Sequence, residues 1–201
     1  MKLKLLLSLL ILSGLNGAIA QSKVVISDLY LDYTLDRMDE ARNDQTIERA
    51  EALLKRSSEL NNNQIANVSF HLARIYETKK LSEKSVPLYE TVTKLVPGYY
   101  VTYRALGYIS LKKCDTLGKN VTAYAKQKNE AMYEQSYKIY KAEALKTIAY
   151  FEKAQACDPD ERTLPILTTL YKSIRDTTSL ATLPARLAEL EKDCVTLLDD
   201  E

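Results

Sequence analysis

Apolar residues recur along this chain in steps of three and four, and almost nowhere at alternate positions, a rhythm that predicts helices. Leu72, Ala73 and Tyr76 mark one stripe, and Ser85 and Tyr89 the next. Tyr103, Leu106 and Gly107 open a third, which runs on through Ser110, Cys114, Leu117, Val121 and Tyr124 without losing phase. A fourth joins Met132 or Tyr133, Ser136 or Tyr137, Tyr140, Ala144, Ile148 and Phe151. Leu167 and Tyr171 share a face farther on. Leu180, Leu183, Leu187, Leu190, Cys194 and Leu197 then predict one last continuous helix. Upstream, Ile47, Ala50, Leu54 and Ser57 outline a helix, preceded by a weaker one over Leu31, Leu35 and Met38. Only Val24-Val25-Ile26 reads as a strand, and it serves equally as the end of a disordered lead-in over residues 21–26. The predicted fold class is all-α.

The order of small and aromatic residues on these stripes carries a resemblance. Leu72-Ala73, Tyr76, Ser85, Tyr89 and the closing Pro97 resemble the tetratricopeptide repeat, a paired-helix unit of about 34 residues. The order restarts at Leu106-Gly107 and ends on Thr147, Phe151, Ala154 and Pro159. Small residues let paired helices approach, aromatic rings fill the gap between them, and each proline stops a second helix. The resemblance implies a short right-handed solenoid of helical hairpins over 27–199. It would comprise a degenerate unit (27–65), a unit at 66–99, an elongated unit (100–160) and a terminal capping unit (161–199).

The elongated unit departs from the family pattern. Pro97 and Pro159 lie 62 residues apart, against the usual repeat of about 34. One reading lengthens both helices by about 14 residues, roughly 21 Å each, into a projecting antiparallel pair that turns at Lys126-Gln127-Lys128-Asn129. The other places a loop at 114–120, which Gly118 favours because glycine inside a helix costs about 1 kcal/mol. Seven extended residues reach about 24 Å at most, whereas a helix over 121–145 retreats about 36 Å. The loop therefore needs a second break, and 130–157 holds no Gly or Pro. The long hairpin is the expected arrangement.

In tetratricopeptide stacks the first helices line a concave groove, so the resemblance implies a partner-binding surface. Asn67, Phe70, His71, Arg74 and Thr78 would face it from one unit, and Val101, Arg104, Ala105, Tyr108 and Lys112 from the next. Phe70, Arg74 and Ala105 stand where some relatives carry the Lys and Asn groups of a terminal-carboxylate clamp. Tyr124, Tyr133, Tyr137 and Tyr140 give the hairpin a second candidate surface, for a partner or for a homodimer. Cys157 and Cys194 end the helices of successive units on their core sides, which makes them a candidate disulfide and leaves Cys114 as a buried thiol.

The first twenty residues read as a leader. Lys2 and Lys4 precede the apolar stretch Leu5 to Leu15, and Ala18-Ile19-Ala20 supplies a small-x-small cleavage site. A stretch of about eleven falls short of the roughly 20 residues that span a bilayer. The expected product is an exported bacterial protein, periplasmic or extracellular, with no transmembrane segment in the mature chain. Without Lys2 and Lys4, 26 basic residues face 27 acidic ones, a balance that speaks against nucleic acid as a partner. His71 is the lone histidine, no CxxC pair occurs, and the five glycines are scattered. That pattern offers no metal site, cofactor loop or catalytic triad. The expected function is non-catalytic: an adaptor or scaffold for a protein or peptide, with a self-associating structural subunit as the rival.

Overall fold

The computed structural model describes residues 24–198; the expected leader, and Gln21 to Lys23 of the lead-in, lie outside them. The described residues form α1 (Ile26–Asp36), α2 (Asn43–Lys55), α3 (Asn62–Thr78), α4 (Ser82–Leu95), α5 (Tyr100–Lys126), α6 (Glu130–Cys157), α7 (Thr163–Ser173), α8 (Thr177–Ala181) and α9 (Leu183–Leu190). No strand occurs among them. Val25 is extended, and the Val24 carbonyl accepts a hydrogen bond from Arg56 Nη1 at 2.8 Å. None of these helices is long and apolar enough to cross a membrane.

Three helix-to-helix turns share one geometry. Lys80, Lys128 and Arg175 each adopt a left-handed φ, of 61°, 55° and 60°. After each, the next amide reaches back five residues: Leu81 to Tyr76, Asn129 to Tyr124 and Asp176 to Tyr171. This is the Schellman closure of a helix C-terminus, which satisfies carbonyls that would otherwise lack partners. Asn129 and Asp176 then cap the following helices, accepting from Met132 N and Ser179 N. At the start of α3, Asn61 and Gln64 form a reciprocal capping box.

Three apolar clusters follow the chain. Tyr33, Leu53, Val68, Leu72 and Tyr76 join α1, α2 and α3. Phe70, Tyr89, Val92, Tyr99 and Leu106 join α3, α4 and α5. Phe151, Leu167, Leu170, Tyr171 and Leu183 join α6, α7 and α9 to the middle of α5. Gly107 brings α5 and α6 together: a Cβ there would lie 2.9 Å from the Phe151 ring. Gly107→Ala should therefore destabilise the protein by about 1–3 kcal/mol, the usual cost of overpacking. Urea denaturation checks this.

Buried polar groups tie the last helices together. Glu152, on α6, accepts from the Tyr171 hydroxyl of α7 and from Arg186 Nη2 of α9 at 2.7 Å. Arg186 also donates to the Tyr171 hydroxyl at 2.7 Å. Burial, with the Glu152 carboxylate beside it, pushes the Tyr171 phenol well above its usual range.

Two sequence expectations need correction. Leu31, Leu35 and Met38 were assigned to the packed face of the first helix, but they are 58%, 57% and 82% exposed. Ile26, Leu29, Tyr30 and Tyr33 face α2 and α3 instead, because the larger aromatic face buries more area. The expected last helix is broken. Pro184 lacks an amide and crowds the preceding turn, so the chain stops at Ala181 and restarts as α9. Cys194 lies beyond α9 with extended dihedrals, and Leu197 is 81% exposed.

Candidate functional site

Helix α5 continues through Gly118 without a break, and its 27 residues pair antiparallel with the 28 of α6. Contacts run in opposite order along the two helices: Arg104 with Asp158, Gly107 with Phe151, Ser110 with Thr147, Lys113 with Glu143 and Gly118 with Tyr140. At 1.5 Å per residue each helix is about 40 Å long, while α7 has only 11 residues. Helix α7 can therefore run beside only part of that length.

That mismatch leaves a groove of about 800 Å³ between α5 and α7. Leu111, Cys114, Gly118, Tyr140, Ile166 and Leu170 make its apolar floor, and Asp115, Lys119, Thr122, Lys126 and Thr169 its polar rim. Small residues make the hollow. Cys114 is 2% exposed and Gly118 contributes no side chain; a Cβ there would meet the Tyr140 ring at an ordinary 3.6 Å. The Tyr140 hydroxyl is 2.6 Å from Ser173 Oγ, which fixes the ring against α7. Tyr133 stacks on Tyr137 and Tyr137 tilts on Tyr140, so the three rings form a row along α6. Tyr124 and Tyr133 line a hollow of about 230 Å³ nearer the tip. Burial pushes the Tyr140 phenol up, and also the Cys114 thiol.

On the side of the hairpin that faces α4, Ser110 Oγ donates to Glu143 Oε1 at 2.6 Å, and Lys113 Nζ donates to Glu143 Oε2 at 2.5 Å. Burial raises the Glu143 carboxyl, but these two hydrogen bonds outweigh it and leave the group below its usual value. Thr147 lies within hydrogen-bond distance of Ser110 and of Cys114. The cluster pairs α5 with α6; it presents a hydroxyl, a thiol and a carboxylate already committed to one another.

Of the ten residues that the resemblance places along a groove, two are packed inside. Asn67 and Phe70 are 3% and 5% exposed, which removes them from any open surface. Asn67 accepts from Arg37, and Phe70 is held edge-to-face by Tyr99 at 5.1 Å. Tyr99 comes from the α4–α5 turn, a contact that helical spacing cannot foresee. Val101 and Ala105 rest against the same cluster. Arg104 pairs with Asp158 at 2.5 Å, and the Tyr108 ring stands edge-on to Phe151. His71, Arg74 and Thr78 do come together, in a smaller cleft of about 340 Å³ shared with Arg37 and Glu40. Lys112 lies apart from them, beside Val86 and Ile109 in a hollow between α4 and α5.

Cys157 and Cys194 are joined as a disulfide, with Cα atoms 5.4 Å apart, and Cys114 is free and buried.

Compared with family models, curated proteins and solved structures, the chain matches none.

Sequence reasoning missed the α5–α7 groove, although signals for it were present. Cys114 and Gly118 are small, one helical turn apart, and on the face opposite the large Tyr140. Thr122 continues that face with a polar group where a core position would carry an apolar one.

Proposed function

We propose that this chain is an exported, non-catalytic interaction module of the tetratricopeptide type, acting in the bacterial periplasm or outside the cell. It holds an amphipathic helix or peptide of another protein in the α5–α7 groove. The observation that carries the reading is the groove itself: an apolar floor shared by α5, α6 and α7, open to solvent, with Lys119 and Lys126 beside Asp115 on its rim. An apolar stripe laid into such a floor, with acidic flanks toward the lysines, is the helix-in-groove mode of recognition. Paired helices closed by a common turn support the repeat assignment, and a disulfide is in keeping with an oxidising compartment.

The test is a photo-crosslinking residue placed at Lys119 in the groove and, separately, at Lys94 on α4. Adducts to one defined protein from Lys119 alone are expected. Equal adducts from both positions, or adducts from Lys94 alone, would move the site elsewhere.

A second reading, self-association, rests on a different surface. Met132, Ile139 and Leu145 on α6 are 38%, 50% and 44% exposed. Light scattering separates the two, because a strict monomer removes self-assembly.

A further inference from the structure

The outward face of α1 is apolar. Leu31, Leu35 and Met38 lie four and three residues apart and are 58%, 57% and 82% exposed. Arg37 keeps helical dihedrals, φ −63° and ψ −16°, so Met38 continues the stripe beyond Asp36. The end of a helical stack stays soluble by turning a polar face outward. Three large apolar side chains in one line mark a contact surface instead. Asp28 and Asp32, four residues apart, run along one flank of the stripe, and Asp39 and Glu40 are exposed at its end. Asp32 is shared with Arg49 at 3.5 Å and is still 55% exposed. Helix α1 is thus an acidic amphipathic helix held in place, because its other face packs on α2 and α3.

The surface that complements it lies at the hairpin. The α5–α7 groove does not stop at Tyr140. Gly118, Thr122 and Tyr140 also line a hollow of about 260 Å³ beside Ser173 and Arg175. Tyr133 joins that hollow to the one nearer the tip, beside Lys128. Sharing these residues, the three hollows form one trough. From Leu111 to Lys126 it follows α5 for about 22 Å, longer than the roughly 16 Å of α1. Lys119, Lys126, Lys128 and Arg175 line it against only Asp115 and Glu130. Among the described residues none of these four cations makes an ion pair. On the α4 side of the hairpin, by contrast, Lys113 and Lys146 are both paired. The trough lacks acidic partners and a cover for its apolar floor, and α1 offers both.

We infer that α1 of a second copy docks in this trough, which rests on the same groove being the partner-binding surface. Leu31, Leu35 and Met38 meet the floor, and Asp28 and Asp32 meet the cations. The occupant comes from another copy because α1, fixed on α2 and α3, cannot swing into its own trough. The two surfaces are different parts of the chain, so the contact is head-to-tail. Association grows with concentration and weakens with salt, as charge-guided docking does. Any other client of the groove must displace α1.

Sedimentation velocity on the purified full chain tests this, with circular dichroism to check folding. Wild type should associate reversibly. Leu31→Lys/Leu35→Lys breaks the stripe at exposed positions, and Gly118→Leu fills the trough; each alone should raise the dissociation constant at least tenfold. Mixed in equal amounts, the two should form a dimer and nothing larger, because the first keeps its trough and the second its α1. Ile139→Lys, on the exposed face of α6, should associate as wild type does. Should Gly118→Leu not fold, Lys119→Glu/Lys126→Glu takes its place. A mixture that stays monomeric, association that survives either variant, or its loss in Ile139→Lys would overturn the inference. So would a monomeric wild type, and the groove would then stand or fall separately, on the Lys119 crosslink to another protein.

Discussion

Phe151→Ala is expected to destabilise the protein by about 3–5 kcal/mol, the range for emptying a fully buried aromatic site. Phe151 is completely buried, and its ring meets the backbone of α5 at Gly107, the Tyr108 ring at 5.1 Å and the cluster formed with α7. The loss sums the transfer of the ring to water, the cavity left behind and the edge-to-face contact with Tyr108. Relaxation is restricted, because Gly107 opposite has no side chain to move into the void. For the same reason the two positions should be coupled. In the Phe151→Ala background, Gly107→Ala should become neutral or stabilising, a non-additivity of more than about 1 kcal/mol. Urea titrations of the two single variants and the double variant supply all three values. A loss below about 1 kcal/mol for Phe151→Ala would mean that the two long helices are held by something other than this contact.

Replacing both Cys157 and Cys194 by Ser should remove about 4 kcal/mol, the chain-entropy value for a loop of this size. At 2–4 °C per kcal/mol for a domain of this length, the melting temperature should fall by roughly 10 °C. Reductant should reproduce the fall in the wild-type chain and leave the Ser variant unmoved. The bond joins the end of α6 to the segment beyond α9, so it anchors the terminal helices to the hairpin. Identical melting of the oxidised wild type and the Ser variant would show that Lys153, which donates to the Leu190 carbonyl, and the apolar contacts of Val195 hold that segment unaided.

What the sequence made legible was local. Leu72, Ala73, Tyr76, Ser85 and Tyr89 were placed on inward faces by spacing alone, and each is buried. The continuous α5 was legible through a geometric argument about loop reach, even though Gly118 argued the other way. Contacts between segments distant in sequence escaped. Phe70 is drawn inward by Tyr99, and nothing in the helical period of α3 announces a ring arriving from the next turn. The α5–α7 groove depends on the difference in length between two helices, and α7 could not be bounded from two stripe residues. The segment after α9 returns to Gly98, where Val195 N donates to the Gly98 carbonyl, and it left a trace in the glycine alone. Pro184 is a break signal that the 3-4 stripe of leucines around it does not carry.

The central claim is that the α5–α7 groove is where a partner binds, and Gly118 tests it most directly. A Cβ there makes only ordinary contact with the Tyr140 ring, so Gly118→Ala should leave the groove intact and stabilise α5 by about 0.5–1 kcal/mol. Gly118→Leu places a side chain in the hollow on the same helix. In the photo-crosslinking assay from Lys119, the Ala variant should capture the same partner as wild type, and the Leu variant should lose it at least tenfold. Undiminished capture by a folded Leu variant would contradict the account.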